Sequence, residues 1–322
     1  MRSDSSLWEG SNSIPQRTIR SFHAAFPKAM KTALWLLKIM IPVTFGVLVL
    51  NYTGLLAWMA DRIAPLFVCI GLPGESAFVL LTSIFTNIYS AIAVITSLGF
   101  TLREGTILAM MCLISHGFII ESAVVRKTGS SVAGMLTLRL LTSLAAGLLM
   151  NLLLPEMSEK IGSTLDANSH SITETLVAWG IGTFWLTLKI ILLVTGLMFL
   201  QKLLEEFGII RALKKPLRPL MRLMGLPVST TFSWIVAYVL GLAYGSAIIM
   251  EEVEQQRMTR SEADLLNHHI VVSHSQLEDP LLFAAIGIPM GWIIWPRIVL
   301  AILAVWLRRG YNHLLHSLSK SA

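Results

Sequence analysis

Leu113-Ile114-Ser115-His116-Gly117-Phe118-Ile119-Ile120-Glu121 returns 158 positions later as Val271-Val272-Ser273-His274-Ser275-Gln276-Leu277-Glu278-Asp279. Each copy is an apolar pair, then Ser-His, then an acid five residues after the histidine. Each lies in a long apolar segment, where an ionisable side chain is costly and marks a functional site by default. The surrounding residues repeat as well. Thr101, Glu104 and Arg139 match Thr259, Glu262 and Arg297 at the same offset. Lys38 matches Lys189, Gly54, Gly71 and Pro73 match Gly208, Gly225 and Pro227, and Tyr89 matches Tyr244, at offsets of 151 to 155. Apolar coincidences are cheap in a membrane protein; glycine, proline and polar coincidences are not. The chain reads as two copies of one unit.

Composition sets the class. Of 322 residues, 54% are hydrophobic and 14% are charged, against about 25% charged in a soluble domain. The expected fold is therefore all-α: a polytopic helical membrane protein of two inverted-topology repeats with re-entrant or broken helices. The net charge of +6 sits in a few loops, which argues for membrane orientation and against nucleic acid. Cys69 and Cys112 form no CxxC motif, so neither a disulfide framework nor a cysteine metal site is expected.

Apolar segments run over 32–52, 76–100, 105–125 and 131–154, and again over 175–200, 229–250, 265–290 and 291–307. Segments 55–70 and 209–224 are shorter and resemble helices lying along the membrane surface. The domain reading is a cytoplasmic tail (1–31), a first membrane repeat (32–154), an extracytoplasmic linker (155–173), a second repeat (174–308) and a cytoplasmic tail (309–322). Basic residues at both ends and in 202–222 place those parts inside, in a bacterial cytoplasmic membrane. Each half then crosses an odd number of times. One of its four long segments must fail to cross fully, either the uncharged polar one or the Ser-His one, as a re-entrant hairpin or as a helix broken at mid-membrane.

The polar residues of the segments cannot all face lipid. Glu75, Asn87, Tyr89, Ser115, His116, Glu121, Tyr244, Ser273, His274, Gln276 and Asp279 are the expected solute-binding residues, with Arg139 and Arg297 balancing charge. The histidines are the expected proton-responsive groups, since imidazole titrates near neutrality. Plainer readings stand beside these: arginines pairing with helix-end carbonyls, Lys38 and Lys189 snorkelling to the interface, histidines bonded in the core. His268, His269, His274 and Asp279 are metal-ligand types, but adjacent histidines on a helix point about 100° apart. No metal or other cofactor is expected. Ser115-His116 are chain neighbours, not a catalytic relay, so no enzyme activity is expected.

At Gly71-Leu72-Pro73-Gly74-Glu75-Ser76 and Thr86-Asn87-Ile88-Tyr89-Ser90-Ala91 the sequence resembles the nucleoside-recognition, or Gate, domain family, most nearly the bacterial spore maturation membrane proteins A and B. The second half keeps Gly225-Leu226-Pro227 but has Val228-Ser229 in place of Gly74-Glu75 and Gly241 in place of Asn87. The resemblance implies solute movement across the inner membrane without identifying the solute. Together with the polar residues above, the expected function is a permease for a small polar or anionic solute, nucleoside-like or an organic acid, with the proton coupling that histidines beside acids suit. A non-transporting subunit for envelope or spore-type maturation and a divalent-metal permease are the alternatives. The expected partners are the solute, the bilayer, and a second copy or another membrane protein.

Overall fold

A computed structural model describes residues 14–162, 172–213 and 215–321. The rest of the linker, the outer ends of both tails, Lys214 and the Tyr244 side chain lie outside the described residues. The described chain is helical, and its only extended feature is an isolated bridge between Thr101 and Lys160. The first half contains α1 (Ile14–Tyr52), α2 (Leu55–Val68), α3 (Ser76–Phe85), α4 (Ile88–Leu98), α5 (Leu102–Ser115), α6 (Phe118–Lys127) and α7 (Val132–Leu153). The second contains α8 (Ile172–Glu206), α9 (Ile209–Ala212), α10 (Arg218–Leu223), α11 (Thr231–Leu240), α12 (Leu242–Glu254), α13 (Arg260–Ile270), α14 (Glu278–Ala284) and α15 (Met290–Ser321).

Among the described residues, α7, α8 and α15 contain stretches long and apolar enough to cross a bilayer. Only 28%, 22% and 28% of their most apolar windows are buried inside the protein. Leu148 and Leu152 on α7, Phe184 and Leu192 on α8, and Val299 and Leu303 on α15 are exposed. Apolar faces of that extent belong against lipid. This is an all-α polytopic membrane protein.

Helix α1 starts well before its apolar part. Ala25, Ala29 and Ala33, one helical turn apart, are almost fully buried, and α1 packs along α8. Small side chains let the two backbones approach closely. Arg17 and Arg20 extend that contact by reaching Glu206 at 3.0 and 2.7 Å.

The shorter helices are where the chain breaks. Ten residues of α-helix measure about 15 Å, half the hydrocarbon thickness. Helix α11 ends at Gly241, whose φ of +91 suits a residue without a side chain, and α12 turns back along α11. The closeness of that return shows at Gly245, where a Cβ would stand 2.5 Å from the Ala237 Cβ. Eight residues of uninterrupted helix would hold those positions about 12 Å apart. Helices α3 and α4 break at Thr86-Asn87 and also pack together. The two uncharged polar segments are thus helical hairpins. The Ser-His segments break differently: α5 stops at Ser115 and α6 resumes at Phe118, while α13 stops at Ile270 and α14 begins at Glu278.

The starts of these helices are defined by reciprocal caps. Thr101 Oγ1 accepts from the Glu104 N–H while the Glu104 carboxylate accepts from the Thr101 N–H. Thr259 and Glu262 do the same for α13. Each box satisfies two amides that the first turn leaves without partners. The first part of the 155–173 stretch is held against α5, where the Leu102 N–H donates to Glu159 O and the Ile161 N–H to Phe100 O.

Candidate functional site

The break in α5–α6 leaves carbonyls without helical partners, and one arginine answers them. Arg139 on α7, 2% exposed, donates through Nε to Ile114 O at 2.7 Å and through Nη2 to His116 O at 2.6 Å. Arg297 on α15, fully buried, donates to Val272 O at 3.0 Å and His274 O at 2.8 Å. All four acceptors and both donors keep the offset of 158. The hairpins answer the breaks in the same way. The Gly117 N–H donates to Ser83 O on α3, and the Ser275 N–H to Ala237 O on α11. Gly117 and Ser275 both adopt positive φ, +59 and +49. The first copy uses glycine there, and the second holds a serine in a conformation rare for residues with a side chain.

The clasped loops present their histidines to each other. His116 Nδ1 bonds to Cys112 O at 3.0 Å, and His274 Nδ1 bonds to Ile270 O at 2.8 Å. A carbonyl only accepts, so each Nδ1 carries hydrogen and each Nε2 faces inward. Both Nε2 atoms meet one oxygen: Glu121 Oε1 lies 3.1 Å from His116 and 3.4 Å from His274. The ring centroids are 5.2 Å apart. Glu121 Oε2 pairs with Arg139 Nη1 at 2.8 Å. Asp279 Oδ2 stands 4.0 Å from His116 Nε2 and has no hydrogen-bond partner among the described residues. The two copies differ here. Glu121 reaches its arginine, whereas Asp279, a methylene shorter, makes no direct contact with Arg297, whose Nη1 has no hydrogen-bond partner among the described residues.

The expected site residues divide into two groups. His116, Glu121, His274 and Asp279 come together, with Arg139 and Arg297 behind them. Tyr89 borders them by donating to Glu278 Oε1 at 2.7 Å, a contact between halves. Asn87, Ser115, Ser273 and Gln276 serve the breaks. Asn87 caps α4 through Ser90 N at 3.0 Å. Ser115 Oγ donates to Met111 O at 2.8 Å. Ser273 Oγ lies 2.8 Å from Tyr238 Oη and accepts from Gln276 Nε2 at 2.6 Å. Glu75 stands at the far end of α3 from the break, about 15 Å of helix away. Tyr244 lies on α12, with its side chain outside the described residues.

Residues not among those expected also join the halves. Glu278 does so through Tyr89, whereas Tyr238 meets Ser273 within the second half. Asn267 donates to Thr128 and Ser130, each at 2.8 Å. Asp264 accepts from Ser130 at 2.8 Å and from Arg308 at 2.9 Å. Of the four metal-ligand types weighed from the sequence, His268 sits beside Asp264, His269 packs against Trp234 and Tyr238, and His274 and Asp279 belong to the centre. The ligand-type residues that do converge are His116, Glu121 and His274, whose donor atoms all lie within 4.8 Å of one another.

Fold and site together define a polytopic α-helical membrane protein with a buried, charged centre between helix breaks. The chain is similar to an uncharacterized membrane protein, YvoD, of Bacillus subtilis (strain 168), at 28% identity over 290 residues, covering 88% of this chain and 92% of that protein. No family model matches the chain, and no solved structure matches it.

Proposed function

We propose that the chain is a permease of two inverted repeats that moves a small polar solute through the His116–Glu121–His274 centre. The observation that carries this reading is the meeting of two helix breaks, one from each half, around ionisable groups shut away from lipid. Broken helices at a repeat interface are how transporters place binding groups at the membrane midplane. Helix hairpins also suit the crossing count. With α3–α4 and α11–α12 turning back, α1, α5–α6 and α7 cross in the first half, and α8, α13–α14 and α15 in the second. Three crossings per half set the halves upside-down to each other, both termini on the basic, cytoplasmic side. The resemblance to the Gate family at Gly71–Ser76 and Thr86–Ala91 points the same way.

A cleft of about 340 Å³ supports the reading further. Thr44, Thr96, Lys189 and Gly287 line it, so both halves contribute. It lies at the end of α14 away from Asp279, about 10 Å of helix from the centre. As for the solute, the guanidinium groups already serve four carbonyls. Three carboxylates, Glu121, Glu278 and Asp279, outnumber the two arginines. We therefore favour a neutral or cationic solute over an organic acid or other anion. In this reading the chain catalyses no reaction.

Uptake into proteoliposomes containing this protein alone tests the proposal. Transport of at least one solute in a panel of nucleosides, amines, organic acids and metal ions is expected, with loss in His116→Ala and His274→Ala. An imposed pH gradient in the same vesicles tests the proton coupling expected from the sequence. No uptake of any solute, together with a membrane protein that co-purifies tightly, would replace this reading with that of a non-transporting subunit.

A further inference from the structure

We propose that His116 Nε2, His274 Nε2 and Glu121 Oε1 are the ligands of a divalent first-row transition-metal ion, bound exchangeably across the seam between the halves. The ligand atoms are already prepared. Each Nδ1 is committed to a backbone carbonyl, which orients the ring and leaves Nε2 as the lone-pair atom of neutral imidazole. Glu121 Oε2 is held by Arg139, so Oε1 is free to turn inward. Metal-binding histidines and carboxylates are characteristically fixed by such partners behind them.

The spacing fits an ion. Ligands at about 2.0–2.1 Å from a tetrahedral metal are about 3.3 Å from one another. The oxygen-to-nitrogen separations here are 3.1 and 3.4 Å. Three lone-pair atoms at those distances repel unless positive charge sits among them. One proton bridges one nitrogen–oxygen pair, while a metal ion satisfies all three atoms at once.

The donor set selects the ion's class. Two imidazoles disfavour magnesium and calcium, which prefer oxygen, and the absence of a thiolate from the set disfavours cuprous ion. Asp279 Oδ2, 4.0 Å from His116 Nε2 and without a hydrogen-bond partner, is placed to enter as a fourth ligand or to leave that position to water. Three protein ligands and one open position leave the fourth place on the ion to water or an incoming ligand. The proposal names the occupant of the centre. It rests on the permease reading only in making the ion a cargo.

The test uses full-length protein in detergent, stripped with chelator, and titrated with Co²⁺ and Zn²⁺ by calorimetry and visible spectroscopy. One ion per chain is expected, with intense cobalt bands of a tetrahedral site displaced by Zn²⁺ and unaffected by excess Mg²⁺. Affinity should fall at least 100-fold in His116→Ala and in His274→Ala, and remain within twofold in His268→Ala, whose ring lies beside Asp264. Wild-type protein that binds neither ion, or whose cobalt spectrum is octahedral and weak, would overturn the proposal even if the histidine variants fail to fold. Unchanged affinity in both folded variants would overturn it too. Vesicle uptake separates the two claims. Metal binding without uptake of any solute supports the site and ends the permease reading. Uptake of another solute by protein that binds no metal does the reverse.

Discussion

Arg139 and Arg297 occupy equivalent positions but carry unequal loads, and replacing each by methionine measures the difference. Both substitutions leave two buried carbonyls without donors, at about 1–3 kcal/mol each before water enters the break. Only Arg139→Met also breaks a direct ion pair with a buried carboxylate, Glu121, whose oxygen lies 2.8 Å from Nη1. Removing one partner of a buried ion pair costs about 3–5 kcal/mol, and relaxation of Glu121 toward the two histidines offsets part of it. Arg139→Met should therefore destabilise more than Arg297→Met, by about 2 kcal/mol. Equilibrium unfolding in mixed micelles with SDS, in the presence of chelator and followed by tryptophan fluorescence, reads both. Glu121→Gln in the Arg139→Met background should recover most of the difference, and in the Arg297→Met background nothing. Equal costs for the two arginines, or no recovery with Glu121→Gln, would refute the unequal clasp.

Thr101→Ala and Thr259→Ala each remove one capping box and should cost about 1 kcal/mol, with equal shifts in the same unfolding assay. Gly245→Leu should prevent α12 from closing on α11, because even a Cβ there meets Ala237 at 2.5 Å; trypsin should then cut the 241–260 region in folded-state digests where the parent resists. His269 is fully buried with neither ring nitrogen partnered among the described residues. His269→Phe should therefore raise the melting temperature, worth about 1–2 kcal/mol, and a fall would show that the ring has a polar partner.

What the sequence made legible was the repeated Ser-His motif, because polar identities spaced evenly through apolar segments stand out against a uniform background. The arginines showed for the same reason. The hairpin shape did not. Gly241 and Asn87 mark breaks, but a break alone does not say whether the chain continues or returns; the close approach of Gly245 to Ala237 decides it, and glycine and alanine are ordinary in membrane helices. The roles of Tyr238 and Glu278 depend on which residues of the other elements they face, which the sequence does not show. His268 and His269 are adjacent in sequence, yet helical geometry turns them to different neighbours. The histidines that do meet are 158 positions apart, and only the packing of the halves brings them together. The residues before 32 read as a tail because they are polar, whereas Ala25 and Ala29 already form the inner stripe of α1.

Everything proposed depends on the two helix breaks converging. Placing His116→Cys and His274→Cys together in a chain lacking Cys69 and Cys112, then treating intact vesicles with a thiol-to-thiol linker of about one residue's reach, measures that directly. A single linked peptide pair within one chain, found by mass spectrometry and missing from either single-cysteine variant, is the expected result. Modification of both cysteines without any intrachain link, in protein that still elutes as folded, would contradict it.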